Sequence, residues 1–348
     1  MTEIVPGIYQ LQLPLPESLR SRFKKRDTPP RRSFLDYVNV YLIEGDDGYL
    51  LVDTGWNTEE AFEALKDQMA QLHIDVEDIS QIFITHIHLD HCGMAGRLKQ
   101  ISKATIAMHQ IEKNMIGSSY GPSSRLLQQT KLWMETNGVP AEELNRLRET
   151  SSGSLKFETP SLPDVVLQGG ETIKQGIFNL EVIWTPGHSP GHLCLYEPAQ
   201  KTLFAGDHVL PMTTPNIGLY SQSILNPLGD YLKSLSRINK LDVNLILPGH
   251  EDTFTDLQKR VDELFKHHEQ RKAEIIKILK AVPKTAYQTC LGMVWFVKST
   301  NDGLHGYDLG TNNKRMALLE TISHLEAMRL EGSLEKFSED GVTLYRVI

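Results

Sequence analysis

The run Thr85-His86-Ile87-His88-Leu89-Asp90-His91 sets three imidazoles and a carboxylate within six residues, directly after the apolar stretch Gln81-Ile82-Phe83-Ile84. Histidine nitrogen and carboxylate oxygen are borderline-to-hard donors that suit Zn²⁺, with Fe and Mn as alternatives. Imidazoles packed side by side gain nothing from burial unless each nitrogen finds a partner, so a shared cation explains them better than a polar surface loop. Four further segments repeat the plan of an apolar strand that ends in a ligand-type residue. Leu50-Leu51-Val52 precedes Asp53-Thr54-Gly55, and Leu180 to Trp184 precedes Thr185-Pro186-Gly187-His188. Thr202 to Ala205 precedes Gly206-Asp207, and Leu245-Ile246-Leu247 precedes Pro248-Gly249-His250. Short apolar runs bounded by Gly and Pro read as buried strands, and ligands at their carboxyl ends converge on one edge of a sheet.

Taken together and in this order, His-x-His-x-Asp-His, Gly-His, Gly-Asp and Pro-Gly-His with the upstream Asp-Thr-Gly resemble the metallo-β-lactamase superfamily. The likeness runs over about residues 36 to 255. It implies an α/β fold, a four-layer αβ/βα sandwich, with a binuclear site at one edge of two facing sheets. Carried over position by position, His86, His88 and His188 would hold one metal, and Asp90, His91 and His250 the other. Asp207 would bridge the two, and Asp53 would orient a histidine ligand through its ring N–H. The expected cofactors are two Zn²⁺ per chain, with Fe or Mn as substitutes.

The expected chemistry is that of a binuclear metal-dependent hydrolase. A metal-bound hydroxide would attack, the second cation would polarise the carbonyl or phosphoryl oxygen, and no side-chain nucleophile is needed. Asp90 is the candidate to pass the proton to the leaving group. The leading substrate is the acyl bond of a small molecule (a thioester, ester or lactone), as in glyoxalase II-like and lactonase branches. Two alternatives stay open: a metal-dependent ribonuclease, and a mononuclear-iron dioxygenase acting on sulfur compounds. Fold alone does not choose, because one scaffold hosts many chemistries.

Several elements must carry these residues. Residues 1 to 13 alternate as an edge strand, and Phe34 to Ile43 and Tyr49 to Val52 pair around a turn at Asp46-Asp47-Gly48. Thr58 to Leu72 places Ala61, Leu65, Met69 and Leu72 on one helical face. Arg20 to Arg32 holds seven basic residues and one acid around Pro29-Pro30, which marks a loop. That loop is either a solvated charged surface or a clamp for an anionic substrate. Residues 111 to 162 lean to helix and read as a cap, with Met115, Tyr120 and Trp133 as candidate lining. A second cap candidate is Thr213 to Leu228, where Tyr220 could donate to an oxyanion.

The catalytic domain is expected to span 1–255 and a helical, winged-helix-like domain 256–348. In the latter, helices are read at Asp256 to Leu279, Thr285 to Phe296 and Lys314 to Leu330, followed by a hairpin from Leu334 to Val347. A DNA reader would expose Arg and Lys on the helix around Met316 to Leu325, and this stretch carries an apolar stripe instead. Packing onto the catalytic domain, or onto the partner in a homodimer, is the expected role. His73, His109, His267, His268, His305 and His324 read as surface or helix residues, and His192 and His208 as supports beside the ligands.

Of 348 residues, 40% are hydrophobic and 23% charged, as in ordinary globular proteins. A net charge of −8 argues against nonspecific nucleic-acid binding, which rests on phosphate contacts. No apolar run is long enough to span a membrane, and the first residues lack a basic segment followed by an apolar one, so a cytoplasmic location is expected. The three cysteines, Cys92, Cys194 and Cys290, have no metal-binding spacing. Cys92, next to His91, reads as a small packed side chain rather than a ligand.

Overall fold

The computed structural model describes residues 1–17, 37–119, 124–151, 161–219, 226–296, 303–306 and 309–348. The basic segment Arg20 to Arg32, Tyr120 and Tyr220 lie outside the described residues. The chain divides into two compact units. The first comprises Met1–Gly121, Phe157–Pro215 and Ser234–Arg260, and the second comprises Pro122–Lys156, Asn216–Lys233 and Val261–Ile348. Residues 122–156 of the expected cap and most of the second cap candidate therefore group with the C-terminal residues, while 111–121 and 157–162 stay with the ligand-bearing part.

The first unit is built on two sheets. Seven strands, β1 (Thr2–Val5), β2 (Ile8–Pro14), β3 (Tyr37–Gly45), β4 (Gly48–Val52), β5 (Ile79–Phe83), β6 (Thr105–His109) and β7 (Val165–Leu167), lie side by side in chain order. Five more, β8 (Thr172–Gln175), β9 (Phe178–Trp184), β10 (Leu193–Glu197), β11 (Thr202–Gly206) and β12 (Leu245–Pro248), form the second sheet, again each beside the next in the chain. The expected single edge strand in residues 1 to 13 is two strands that turn at Gly7, whose φ of 82° suits glycine.

Alternation along β3 shows how the layers are joined. Val38, Val40 and Leu42 pack into a cluster with Phe62, Leu65 and Met69 of helix α1 (Glu59–Ala70). Tyr41 and Ile43 point the other way, into a cluster shared with Leu180, Val182, Leu195, Phe204 and Leu247 of the second sheet. A strand with both faces covered must be apolar at nearly every position, as β3 is. Removing one such side chain, as in Leu42→Ala, costs about 2–5 kcal/mol. Helix α1 starts where Thr58 accepts a hydrogen bond from the Ala61 N–H at 3.1 Å.

Strand direction decides where the ligands go. Strands β4, β5, β6 and β7 run parallel, and Val52 lies opposite Phe83, so Asp53 and the His86 run leave the sheet at one edge. In the second sheet β11 and β12 are parallel, with Gly206 opposite Pro248, and β9 shares their direction through the antiparallel β10. His188, Asp207 and His250 therefore emerge together. Main-chain bonds tie the sheets at this edge, Leu193 N to Thr85 O at 2.9 Å and Asn39 N to Gly249 O at 2.8 Å, and Gly249 N to Gly206 O at 2.8 Å joins the ends of β12 and β11.

The helices of the first unit that follow the ligand strands are short. Helix α2 (Leu89–Cys92) starts at His88, and α3 (Ala95–Ser102) follows it. Helix α4 (Gln110–Ser119) begins where β6 ends. Cys92 is buried and donates to Ile87 O, as expected of a packed side chain.

The second unit contains α5 (Ser124–Thr136), α6 (Ala141–Ser151), residues Pro227–Lys233 of α7 (Pro227–Ile238) and nearly all of α8 (Leu257–Leu279). After these come α9 (Ala286–Gly292), the pair β13 (Val294–Phe296) and β14 (Gly303–His305), α10 (Thr311–Leu330), and the hairpin of β15 (Leu334–Glu339) with β16 (Val342–Val347). Its core joins Met134, Val139 and Leu144 to Ile275, Leu279, Leu318, Leu319, Ile322, Leu325 and Tyr345, with Trp133 partly buried against it. Trp133 therefore serves as core, and Met115 packs on the sheet–helix core of the first unit.

The helix expected over Thr285 to Phe296 stops at Gly292. Val294, Trp295 and Phe296, one β-branched and two aromatic residues, pair with Gly303–His305 instead. The stretch Ala317 to Met328 of α10 is buried without a break, so it offers no groove-facing side. His268 of α8 and His324 of α10 lie on helices as expected, but both are buried and bonded to each other at 3.1 Å, while His109, at the end of β6, is buried and on neither the surface nor a helix. Among the described residues no helix is long and apolar enough to cross a membrane.

Candidate metal centre

Three groups of side chains at the sheet edge could hold a cation. His86, His88 and His188 form one, Asp90, His91 and His250 another, and Asp207 joins His86 and His91 in a third. Within each group the donor atoms lie within 4.8 Å of one another. In the first, His86 Nε2 and His188 Nε2 approach His88 Nδ1 to 2.8 and 3.0 Å. In the second, Asp90 Oδ2 stands 3.3 Å from His250 Nε2 and 3.8 Å from His91 Nε2. Asp207 lies between them, with Oδ1 3.5 Å from His91 Nε2 and Oδ2 3.6 Å from both His188 Nε2 and His250 Nε2. All seven residues read as ligands from the sequence are thus brought together.

Donors of a tetrahedral zinc shell with bonds of about 2.0–2.1 Å sit roughly 3.3 Å apart, close to the carboxylate–imidazole spacings here. The hydrogen-bond inventory points the same way. His91 Nε2 and Asp207 Oδ1 are buried and, beyond their own 3.5 Å contact, have no hydrogen-bond partner among the described residues. Each such orphan costs about 1–3 kcal/mol, and a cation between them removes both costs. Gly249 keeps the space open, because a Cβ there would lie 2.7 Å from Asp207 Oδ1 and 2.7 Å from His91 Cε1. The residues present fit a metal pair.

A second layer of bonds fixes the donors. Asp53 Oδ2 accepts from His91 Nδ1 at 2.7 Å, which places the ring proton on Nδ1 and frees Nε2. Asp53 itself accepts from the Thr85 N–H and hydroxyl, both at 2.8 Å, and that hydroxyl lies 3.0 Å from His86 Nδ1. Asp53 adopts φ 61°, a left-handed conformation that Asp tolerates better than most residues. His250 Nδ1 sits 3.3 Å from Tyr37 O, which likewise leaves Nε2 for a ligand role. His192 bonds Thr185 Oγ1 at 2.8 Å and accepts from the Asp207 N–H at 3.2 Å, so it supports Asp207 from behind. His208 is buried beside it, with ring centroids 5.9 Å apart.

Charge follows the geometry. Burial, then His188, holds the His88 imidazole down to about 3. Burial also depresses His91, but Asp207, Asp53 and Asp90 more than offset it and leave the ring well above its usual range. Burial raises the carboxyls of Asp90 and Asp207, and the neighbouring imidazoles reverse this, so both end below the ordinary carboxylate range. Without a cation the carboxylates are ionised and His88 is neutral, whereas His91 holds a proton that a bound cation would displace.

Four supporting residues escaped the sequence reading. Thr85 stands beside the motif. Asn39 donates to Pro248 O at 3.0 Å and Glu251 O at 2.8 Å, which holds the Pro-Gly-His turn. Glu251 is buried, and its carboxylate accepts from Met212 N, Thr213 N and Thr213 Oγ1 at 2.8, 3.2 and 2.8 Å. Glu112 lies on α4, far from the ligands in sequence. Only Thr85 carried a local signal.

A chain of this construction belongs to the metallo-β-lactamase superfamily, whose family model matches residues 34–250. Among known proteins it is 28% identical over 318 residues to the probable metallo-hydrolase YqjP of Bacillus subtilis, covering 88% of this chain and 92% of that one. It is 27% identical over 229 residues to the acyl-coenzyme A thioesterase MBLAC2 of Homo sapiens, covering 62% of this chain and 74% of that one. The crystal structure of a metallo-beta-lactamase family protein from Thermus thermophilus superposes with a TM-score of 0.80 at 28% identity, covering 99% of this chain and all of that one. The chain is a metallo-hydrolase of this superfamily.

Proposed function

We propose that this chain hydrolyses acyl thioesters of small molecules at a dinuclear, zinc-type centre. The observation that carries the reading is Asp207, whose two oxygens reach toward both triads while Oδ1 stays buried without a hydrogen bond. A carboxylate so placed suits two cations better than one. When bound, the two ions would lower the pKa of a water toward neutrality and polarise the substrate carbonyl. The chain's own part is orientation. Asp53 and Tyr37 O set the tautomers of His91 and His250, and Thr85 steadies His86. The Asp90 side chain is 22% exposed against 11% for Asp207, so it is the carboxylate placed to accept a proton and hand it to the leaving thiol.

The thioester class draws support from the similarity to an acyl-coenzyme A thioesterase. We read residues 256–348, where α8, α9 and α10 precede the β15–β16 hairpin, as a winged-helix-like appendage in a cytoplasmic enzyme. The test is a panel of acyl-coenzyme A thioesters, lactones, β-lactams, single-stranded RNA and persulfides. Thiol release is followed with a chromogenic reagent, and oxygen uptake is followed in parallel. Thioester turnover abolished by His88→Ala is expected. Turnover of RNA alone, or oxygen consumption with one iron per chain, would replace this reading with the ribonuclease or the dioxygenase.

A further inference from the structure

Glu112 is fully buried on α4, and the groups that bear on it are three hydrogen-bond donors rather than a basic side chain. Its Oε1 accepts from Ser189 Oγ and from the Gly191 N–H, each at 2.6 Å, and its Oε2 accepts from the Ile87 N–H at 3.0 Å. A carboxylate is costly to bury without a counter-charge, and only short, well-directed donors make such a placement tolerable. The three donors are not scattered. Ile87 is the residue between His86 and His88, and Ser189 and Gly191 follow directly on His188. One side chain therefore ties the two loops that carry every member of the first imidazole triad. None of these three hydrogen bonds goes to Asp90, His91 or His250.

The second triad is held differently, through Asp53 on His91 Nδ1 and Tyr37 O on His250 Nδ1. Gly191 shows how closely the clamp is fitted. A Cβ there would lie 2.7 Å from Glu112 Cγ and 2.8 Å from its Oε1. Its backbone conformation is not one reserved for glycine, so the constraint at 191 comes from the approach of Glu112. Outside the clamp the same loop is tied by Trp184 Nε1 to Pro190 O at 3.0 Å and by Ser234 Oγ to Pro186 O at 2.9 Å. It can therefore stay folded when the clamp is altered.

We propose that Glu112 is a positioning residue for one half of the centre: it sets the spacing of His86, His88 and His188 and thereby the affinity of that metal alone. The assignment rests on the metal-centre reading and deepens it. In Glu112→Gln the amide oxygen keeps the Ser189 and Gly191 donors, while the amide NH₂ faces the Ile87 N–H, donor against donor. The two loops then lose their common anchor with little change in volume.

The experiment is cobalt(II) binding to the metal-free full chain, followed by visible absorption and by competition with a chromophoric chelator. Two backgrounds separate the halves: His250→Ala leaves the first triad complete, and His88→Ala leaves the second. In the His250→Ala background, Glu112→Gln is expected to weaken cobalt binding about 10- to 100-fold and to alter its absorption bands. In the His88→Ala background the same change is expected to stay within about twofold, as for an independent site. Gly191→Ala, which displaces Glu112 from the other side, is expected to reproduce the pattern if Glu112→Gln does not fold. Equal weakening in both backgrounds, or none in the His250→Ala background, overturns the role of Glu112 while the centre itself stands. A parent chain that takes up no cobalt overturns the centre and this assignment with it.

Discussion

Asp53→Asn is the sharpest probe of how the second triad is oriented, because it changes one atom type and keeps the side-chain shape. Asn, like Asp, tolerates the φ of 61° at this position, so no backbone strain is added. If the amide nitrogen replaces Oδ2, it donates to His91 Nδ1. The ring proton then moves to Nε2, the atom that lies 3.5 Å from Asp207 Oδ1 and faces the metal position. If the amide is turned over, its nitrogen meets the Thr85 N–H, now 2.8 Å from Oδ1, and a buried donor loses its acceptor. Either arrangement costs about 1–3 kcal/mol. Loss of such a partner typically lowers metal affinity about 10- to 100-fold. Chelator competition should therefore show one of two equivalents weakened by that factor and the other nearly unchanged. Two equivalents bound as tightly as in the parent chain would refute the idea that Asp53 sets the His91 tautomer.

Other outcomes follow from single residues. Gly249→Ala places a methyl 2.7 Å from both Asp207 Oδ1 and His91 Cε1, so turnover should fall about 100-fold, as for displacements near 1 Å, and metal content should drop below two per chain. Asn39→Ala leaves the Pro248 and Glu251 carbonyls without their donor and should lower stability by about 1–3 kcal/mol in urea unfolding. Glu320, in the second unit, is pushed by burial from 4.5 up to about 7, despite opposing effects of Arg271 and of the Asn216 hydrogen bond. A raised carboxyl stabilises the fold fully below pH 4.5 and loses that contribution as pH rises through 7, a swing of about 3 kcal/mol. Glu320→Gln should flatten the pH dependence of thermal unfolding across that window, and an unchanged slope would show that Glu320 does not cause it.

The ligand set was legible because its members sit at strand ends, where a change from alternating apolar residues to Gly, Pro and His is visible locally. Val52 opposite Phe83 and Gly206 opposite Pro248 then bring those ends together without further information. Glu112 was not legible. Its partners lie 25, 77 and 79 positions away, and a lone Glu on a helix has no pattern that separates a buried clamp from a solvated face. The burial of His268 and His324 was hidden for the same reason, since it depends on packing between α8 and α10 rather than on either helix alone. At Thr285 to Phe296 the expected start agrees with the structure, where Thr285 and Gln288 form a capping box, but the end does not, because β13 exists only through its pairing with Gly303–His305. The grouping of 122–156 with the C-terminal residues arises from the shared core of Met134, Val139 and Leu144 with Leu318 and Ile322. No local sequence signal encodes that.

The most direct test of the dinuclear centre is equilibrium dialysis of metal-free protein against zinc, with metal counted per chain. Two equivalents are expected in the parent chain, one in His88→Ala and one in His250→Ala. Uptake of a single equivalent that neither substitution removes, or no uptake at all, would contradict a centre built on two triads.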